Sequence, residues 1–112
     1  MDYEMHELHP LCTNQKTFYG KACVTVVKYG NGGALYMLRS YDTTVVAVDI
    51  SPDGTPFVKK LWNGYSATTL RHVNELLMQL NFPKLSARAW RAMEVGGFYS
   101  PDEVPALEKT LK

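Results

Sequence analysis

The sequence predicts an α+β fold: a four-stranded antiparallel meander packed by one long helix, with two short C-terminal helices. Residues 21–62 contain four apolar segments rich in β-branched residues and joined by short turns, which is typical of an antiparallel sheet. Beyond Trp62 the apolar residues recur every three to four positions, which is the period of an α-helix. A chain of 112 residues suits one domain, which we predict over residues 1–112.

The four strands are predicted at residues 21–29, 34–40, 44–50 and 55–62. The first turn, Gly30-Asn31-Gly32-Gly33, and the third, Ser51-Pro52-Asp53-Gly54, contain the glycine and proline that tight reversals need. Pro56 has no amide hydrogen to donate, so the last strand is predicted to be an edge strand or to start there. Residues 1–20 show no clear period and are predicted to form a loosely structured arm before the sheet of residues 21–62.

The helical part is predicted over residues 66–112. The long helix is predicted at Ala67–Leu80 with Ser66 as its N-cap, because a serine hydroxyl can accept a free amide of the first turn. A second helix, Ala87–Met93, has Ser86 as its predicted cap, and a third has Asp102. The predicted core consists of Val24, Val26, Leu35, Met37, Val46, Val48, Leu61, Leu70, Val73, Leu77 and Trp90.

Charge is distributed unevenly along the chain. The formal net charge of +1 argues neither for a nucleic-acid binder nor for an acidic mimic of DNA. The segment from Lys59 to Arg91, however, contains six basic residues and one acidic residue, Glu75. A basic centre therefore lies between two acidic ends.

The sequence predicts a soluble protein without a cofactor or a metal site. The acidic start lacks an apolar run, and no apolar stretch approaches the roughly twenty residues of a membrane span. Cys12 and Cys23 are expected to be reduced thiols. His6, His9 and Cys12 have the spacing of soft metal ligands, but Pro10 interrupts any helix that would align them. We interpret them as part of a polar arm.

The predicted long helix has a polar side. Thr68, Arg71, His72, Glu75 and Gln79 fall opposite its leucines. His72 with Glu75 would form a base and its orienting group, but Thr68 is a poor unassisted nucleophile. We therefore predict no enzyme and interpret this side as a solvated surface or a binding surface.

Aromatic residues are interleaved with the basic residues of the central segment. Such a mixture suits nucleic acid, because bases stack on aromatic rings while cations meet phosphates, and it equally suits a protein interface. A helix-turn-helix fits poorly, because the joint at residues 81–85 lacks glycine and the second helix is short. The predicted macromolecule-binding residues are Tyr65, Thr68, Arg71, His72, Lys84, Arg88 and Arg91.

Two segments, Ser40–Ala47 and Tyr65–His72, with Trp62 between them, resemble a family of small uncharacterised phage and mobile-element proteins. The shared pattern is a Ser-Tyr-x-Thr-x-Val-Ala strand followed by a Tyr-Ser-x-Thr-Thr-x-Arg-His helix start, with an extra residue here at Thr44. The resemblance implies a phage or mobile element and the cytoplasm of a bacterial host. Small proteins of that setting often inhibit host defence complexes, including CRISPR nucleases.

The leading functional hypothesis is a small non-enzymatic accessory protein that binds a host protein or a protein–nucleic-acid complex, with an anti-CRISPR inhibitor of a defence nuclease as one candidate. The alternative is direct binding of DNA or RNA through the basic, aromatic-rich segment of residues 59–91. An enzyme centred on Thr68, His72 and Glu75 is the third hypothesis. The sequence specifies no oligomeric state and no membrane partner.

Overall fold

The computed structural model describes residues 2–12 and 16–109, which form an antiparallel sheet with helices on one face. The sheet has six strands in chain order, β1 to β6. They are β1 (Asp2–Glu7), β2 (Ala22–Lys28), β3 (Ala34–Ser40), β4 (Thr43–Ile50), β5 (Pro56–Lys60) and β6 (Phe98–Tyr99). The α+β class and the antiparallel meander are confirmed, but the predicted count of four strands is wrong.

The four predicted strands correspond to β2–β5, and their turns have the expected chemistry. Gly54 adopts a φ of 91°, and the Ser51 amide donates to the Thr55 carbonyl at 3.0 Å, which closes the turn before β5. The register between β3 and β4 shifts after Leu38, leaving Val45 as an extra residue in a β-bulge. The bulge accommodates the extra residue that the motif shows near Thr44.

The first strand corrects the prediction of a loosely structured arm. β1 pairs with β2 along its whole length, from Asp2 opposite Lys28 to Glu7 opposite Cys23. The prediction failed because pairing at a sheet edge uses backbone hydrogen bonds and requires little apolar periodicity. The next segment is anchored by Leu8 and Phe18, each only 2 % exposed. Residues 13–15 of the predicted arm lie outside the described residues.

The last strand excludes the first of the two predicted alternatives for β5, an edge strand. β6 pairs with β5, placing Val58 opposite Tyr99 and Lys59 opposite Phe98. β5 does start at Pro56, as the missing amide hydrogen predicted. A strand of two residues is too short to show a period of two, so the sequence pattern gave no indication of it.

The helices follow the predicted caps at two of three sites. Helix α1 (Ala67–Gln79) begins after Ser66, whose hydroxyl accepts the Thr69 amide at 2.9 Å, and helix α2 (Ala87–Ala92) begins after Ser86 in the same manner. The third prediction was wrong. A 3₁₀ turn (Pro101–Glu103) leads into helix α3 (Val104–Glu108), and Ser100 begins it, because the Glu103 carboxylate accepts the Ser100 amide at 3.1 Å.

The core lies between the helices and one face of the sheet. Seven predicted core residues are buried there: Val24, Val26, Val46, Val48, Val73, Leu77 and Trp90. Leu70 packs against this core while remaining partly exposed. No helix within the described residues is both long enough and apolar enough to cross a membrane.

Three predicted core residues, Leu35, Met37 and Leu61, lie on the opposite face of the sheet, where they are partly exposed. Leu35 and Met37 alternate along β3 with Tyr36 and Leu38, which face the helices. Because both sets are apolar, the alternation does not reveal which face is covered. We call this uncovered face the open face; it includes Met5, Thr25, Leu35, Met37, Leu61 and Phe98.

Candidate functional site

Six of the seven predicted binding residues lie at least partly exposed on the helical side of the molecule. Their central contact is between Arg91 and Tyr65, where the guanidinium carbon lies 4.3 Å from the centre of the phenol ring. Tyr65 is 38 % exposed and Arg91 is exposed, so the pair forms a stacked, accessible surface feature. We call this group the basic surface: Tyr65, Thr68, Arg71, Lys84, Arg88 and Arg91.

The contact between Tyr65 and α2 lies next to two close approaches at Gly64. The Trp90 indole nitrogen donates to the Gly64 carbonyl at 2.8 Å, which ties α2 to the segment before α1. A side chain at Gly64 would overlap the indole ring of Trp62, so only glycine fits there. Trp90 itself is 2 % exposed. A buried tryptophan thus fixes the distance between Tyr65 and Arg91.

A second tie joins the middle of α1 to the residues before α2. The Asn74 side chain donates to the Leu85 carbonyl at 2.8 Å and accepts from the Leu85 amide at 2.7 Å. This pair satisfies both backbone groups of Leu85 and places Lys84 beside α1. Arg71 lies one helical turn before Asn74, and its guanidinium lies 3.4 Å from the Thr68 hydroxyl.

Not every charged residue of the segment 59–91 contributes to the charge of the basic surface. Lys60 is 2 % exposed and donates to the carbonyls of Trp90 and Met93 at 2.7 and 3.2 Å, so it satisfies the C-terminus of α2. Lys59 lies on the open face, with its ammonium 5.2 Å from the Phe98 ring. Glu75 is fully buried.

Four cations therefore remain on the basic surface: Arg71, Lys84, Arg88 and Arg91. Within residues 2–12 and 16–109, none of them forms an ion pair with a carboxylate within 4.0 Å. Glu108, near the start of α2, accepts hydrogen bonds from the amide and hydroxyl of Ser86. The surface retains a net positive charge that the described chain itself does not neutralise.

His72 does not lie on the basic surface, which corrects the seventh predicted binding residue. It is 1 % exposed, and its ring packs edge-on against Phe18 with the two ring centres 4.7 Å apart. The prediction failed because His9, Cys12 and Phe18, from the segment predicted to be loose, cover the side of α1 that carries His72, Glu75 and Gln79. His72 is therefore inaccessible to a partner in this structure.

His72 instead joins a buried hydrogen-bond network with Ser40 and Thr69. The Ser40 hydroxyl lies 2.8 Å from His72 Nδ1 and 3.0 Å from the Thr69 hydroxyl, and all three side chains are at most 5 % exposed. Burial lowers the pKa of His72, and the positive charge of Arg71 adds to this effect. The neutral imidazole can form a hydrogen bond with Ser40 without placing a charge in the core.

The burial of this network limits the reactions in which its side chains could take part. A serine hydroxyl next to a histidine nitrogen is one element of nucleophilic catalysis, but Ser40 is 2 % exposed. The hypothesised set of Thr68, His72 and Glu75 does not come together, because Thr68 contacts Arg71 and Glu75 contacts Cys12. Among the described residues, no cluster of three or more His, Cys, Asp or Glu could hold a metal ion.

The geometry places both motif segments, Ser40–Ala47 and Tyr65–His72, around one buried network. A family model matches residues 6–92, which include both segments and most of the sheet. The chain belongs to DUF8033. This is a family of unknown function, and the match ends at the last residue of α2. No curated protein and no solved structure matches the chain.

Within the part shared with DUF8033, the contact between residues 8–12 and α1 was missed by the sequence analysis. Both carboxylate oxygens of Glu75 accept the Cys12 amide at 3.1 Å, and Gln79 donates to Glu75 at 2.6 Å and to the His9 carbonyl at 2.8 Å. Desolvation raises the pKa of the Cys12 thiol, and the nearby Glu75 carboxylate raises it further. Both cysteines are free thiols.

The open face was also missed as a candidate site. Met5 and Phe98 are 57 % and 55 % exposed on it. Two shallow depressions of about 220 and 280 Å³ share Met37 as a wall. The available signal was the apolar character of β3 on both faces, which indicates that both faces of the sheet are suited to burial.

Proposed function

We propose that this DUF8033 protein is a non-enzymatic binding module that contacts a host protein or a protein–nucleic-acid complex through the basic surface. The observation that supports this proposal is the exposed stack of Arg91 on Tyr65. Tyrosine and arginine dominate the energetics of protein interfaces, because each combines a large contact area with directional polar groups. Here the two are already held together, so binding requires little further ordering of their side chains.

The surroundings of this stack favour an acidic partner. Arg88 is exposed one helical turn before Arg91 on α2, Lys84 is exposed before α2, and Arg71 is exposed on α1. Burying Glu75 removes the one acidic residue of the segment from the surface. Inhibition of a bacterial defence nuclease, of the anti-CRISPR type, belongs to this proposal; the resemblance of the two motif segments to phage and mobile-element proteins supports it.

Direct binding of DNA or RNA is the second candidate function. The same four cations could meet phosphates, and Tyr65 could stack on a base. Two facts make this candidate weaker: the net charge is only +1, and Arg91 already occupies one face of the Tyr65 ring. A nucleic-acid contact made chiefly to phosphates loses affinity steeply as salt rises.

The test is affinity capture from a bacterial lysate, followed by binding measurements with the purified partner. The variant is Arg88→Ala/Arg91→Ala, and the matched control is Lys16→Ala/Lys21→Ala, which removes the same charge from exposed positions near the arm. We expect a partner that the control retains and the variant loses, with unchanged thermal unfolding. Equal binding by variant and control would refute the proposed surface.

The two candidates are separated by salt titration on the purified protein. If the partner is a protein, a labelled DNA or RNA oligonucleotide should show no binding at low salt. If nucleic acid is the ligand, its affinity should fall by about a hundredfold between 50 and 200 mM salt for a contact of about four phosphates. An affinity for nucleic acid that is flat in salt contradicts the second candidate.

A further inference from the structure

We propose that the open face is a dimer interface, and that its occupant is the open face of a second copy of this chain. The face exposes large apolar side chains, with Met5 at 57 % and Phe98 at 55 %, around the partly exposed Leu35 and Met37. Contiguous apolar patches are uncommon on monomeric soluble proteins and mark interaction sites. None of the described helices packs on this face.

The strands themselves are built for burial on both sides. In β3, Tyr36 and Leu38 face the helices while Leu35 and Met37 face outward, so both faces are apolar. In β4, Ala47 on the open face is already 6 % exposed between its neighbours. Strands that are apolar on both faces occur in sheets covered on both faces. The described chain covers one face, and a second molecule would cover the other.

The charges of the open face favour a second copy over an unrelated partner. Arg39 lies on it at one end of the strands, opposite Thr44, with Glu7 two strands away at the same end, and Asp49 lies at the other end, opposite Leu35. We place a two-fold axis in the plane of the interface, perpendicular to the strands and near Met37. The strands of the second copy then run in the opposite direction to those of the first. Each Arg39 then meets the Asp49 of the other copy, because an isologous interface forms every contact twice.

Lys59 is compatible with this arrangement. It lies in the same row as Met37 and Ala47, near the β6 edge, with Phe98 over its ammonium. At such a rim the apolar stem of a lysine can remain buried while its ammonium reaches solvent.

The face is large enough for a dimer of modest affinity. Five intervals between strands of about 4.8 Å and a strand length of about 23 Å give a face of roughly 500 Å² in projection. Two copies would therefore bury on the order of 1,000 Å² in total, which is the lower limit for a biological interface. This flat estimate leaves out the additional area of the protruding side chains. Sheets packed in this way lie about 10 Å apart.

The dimer would leave the basic surface free. The helices lie on the covered face of each sheet, so the two basic surfaces would point away from the interface on opposite sides. This inference is independent of the proposed function, since it requires no partner other than the chain itself. Together they would give a bivalent binder.

The experiment is sedimentation equilibrium or light scattering on the full chain from about 1 μM to about 1 mM, a range that covers interfaces of modest affinity. We expect a mass near twice 12.6 kDa at the upper end. Met5→Glu and Phe98→Glu each place a charge at the interface and should raise the dissociation constant by about tenfold or more. The control is Leu11→Glu, which alters a side chain that is 76 % exposed on the arm and should leave the mass unchanged.

The orientation of the two copies is tested by charge reversal. Arg39→Asp and Asp49→Arg should each weaken the dimer, and the double reversal should restore it, because it re-forms both ion pairs with exchanged ends. Far-ultraviolet circular dichroism checks that each variant is folded. A wild-type chain that stays monomeric at about 1 mM overturns the proposal even if the open face binds another protein. A double reversal that stays dissociated overturns the proposed orientation.

Discussion

Ser40 and His72 lie 32 residues apart in the chain and are joined inside the core by a hydrogen bond of 2.8 Å. Ser40 ends β3, and His72 lies in the second turn of α1, so the bond connects the sheet to the helix that packs on it. The Thr69 hydroxyl completes the connection. The two motif segments therefore have a structural reason to occur together: each supplies part of one buried polar network.

Thr69→Val removes the hydroxyl that Ser40 contacts while keeping the shape of the side chain. We expect the free energy of unfolding to fall by about 0.5–1.5 kcal/mol, because the buried Ser40 hydroxyl loses one of its two hydrogen bonds and keeps the one to His72. Urea unfolding monitored by tryptophan fluorescence measures the change.

Thr68→Val is the matched control for this prediction. Thr68 is adjacent in sequence, and its hydroxyl contacts only Arg71 at 3.4 Å in the described structure. The control should change stability by less than about 0.5 kcal/mol. Equal effects of the two substitutions would show that the network contributes nothing beyond helix propensity.

The lowered pKa of His72 predicts a loss of stability in weak acid. Below a pH of about 6.5, the unfolded chain binds a proton that the folded chain resists, since burial disfavours the imidazolium. The contribution of the neutral His72 to the free energy of unfolding is therefore fully present above about pH 6.5. It is lost as pH falls toward the pKa of His72 in the folded state. Thermal unfolding between about pH 5 and pH 8 measures this slope.

Substitution identifies His72 as the group responsible. His72→Gln should be less stable at pH 8 but should show a shallower dependence on pH than the wild type. His6→Gln changes a histidine that is exposed on β1 and should keep the wild-type slope. An unchanged slope in His72→Gln would assign the acid sensitivity to another group.

Local chemistry explains which elements could be predicted from sequence. Ser66 and Ser86 begin helices because a single hydroxyl satisfies a free amide of the next turn, and this requires no knowledge of the fold. The turn at residues 51–54 is equally local. Strands β2–β5 could be predicted because each is long enough to show its composition.

The features that could not be predicted depend on contacts between segments that are far apart in the sequence. His72, Glu75 and Gln79 have the spacing of a solvated helix side. Their burial depends on His9, Cys12 and Phe18, which lie about sixty positions earlier in a segment without a helical or strand period. The exposure of Leu35 could not be predicted either, because β3 has apolar residues on both faces and its pattern does not show which face the helices cover. The exposed cations Arg71, Lys84, Arg88 and Arg91 were predicted because charged residues occupy surfaces by default.

Glu75→Gln should loosen residues 8–12 from α1. The carboxylate accepts the Cys12 amide and the Gln79 amide group, and a glutamine there replaces one acceptor by a donor. Removing the charge also lowers the pKa of the Cys12 thiol, because Glu75 raises it. We expect faster alkylation of Cys12 by iodoacetamide at pH 7.5, measured by mass spectrometry.

Two controls accompany that measurement. Cys23 in the same molecule lies in β2, so its rate should not change. Glu108→Gln makes the same substitution next to Ser86, far from Cys12 in the fold, and should leave both rates at their wild-type values. Slower or unchanged alkylation of Cys12 in Glu75→Gln would contradict the role assigned to this carboxylate.

Gly64→Ala tests the close approach of Gly64 to Trp62, next to Tyr65. The added methyl group would overlap the ring of Trp62, which packs against the core, so the ring or the backbone must move. We expect a loss of about 1–3 kcal/mol, typical of overpacking, together with a shift in tryptophan emission. Gly30→Ala is the matched control, because an added Cβ there meets no atom within 4 Å, and it should be nearly neutral. If Gly64→Ala is as stable as Gly30→Ala, the fold does not need the close contact between Gly64 and Trp62, and the position of Tyr65 must be fixed by the Trp90 hydrogen bond alone.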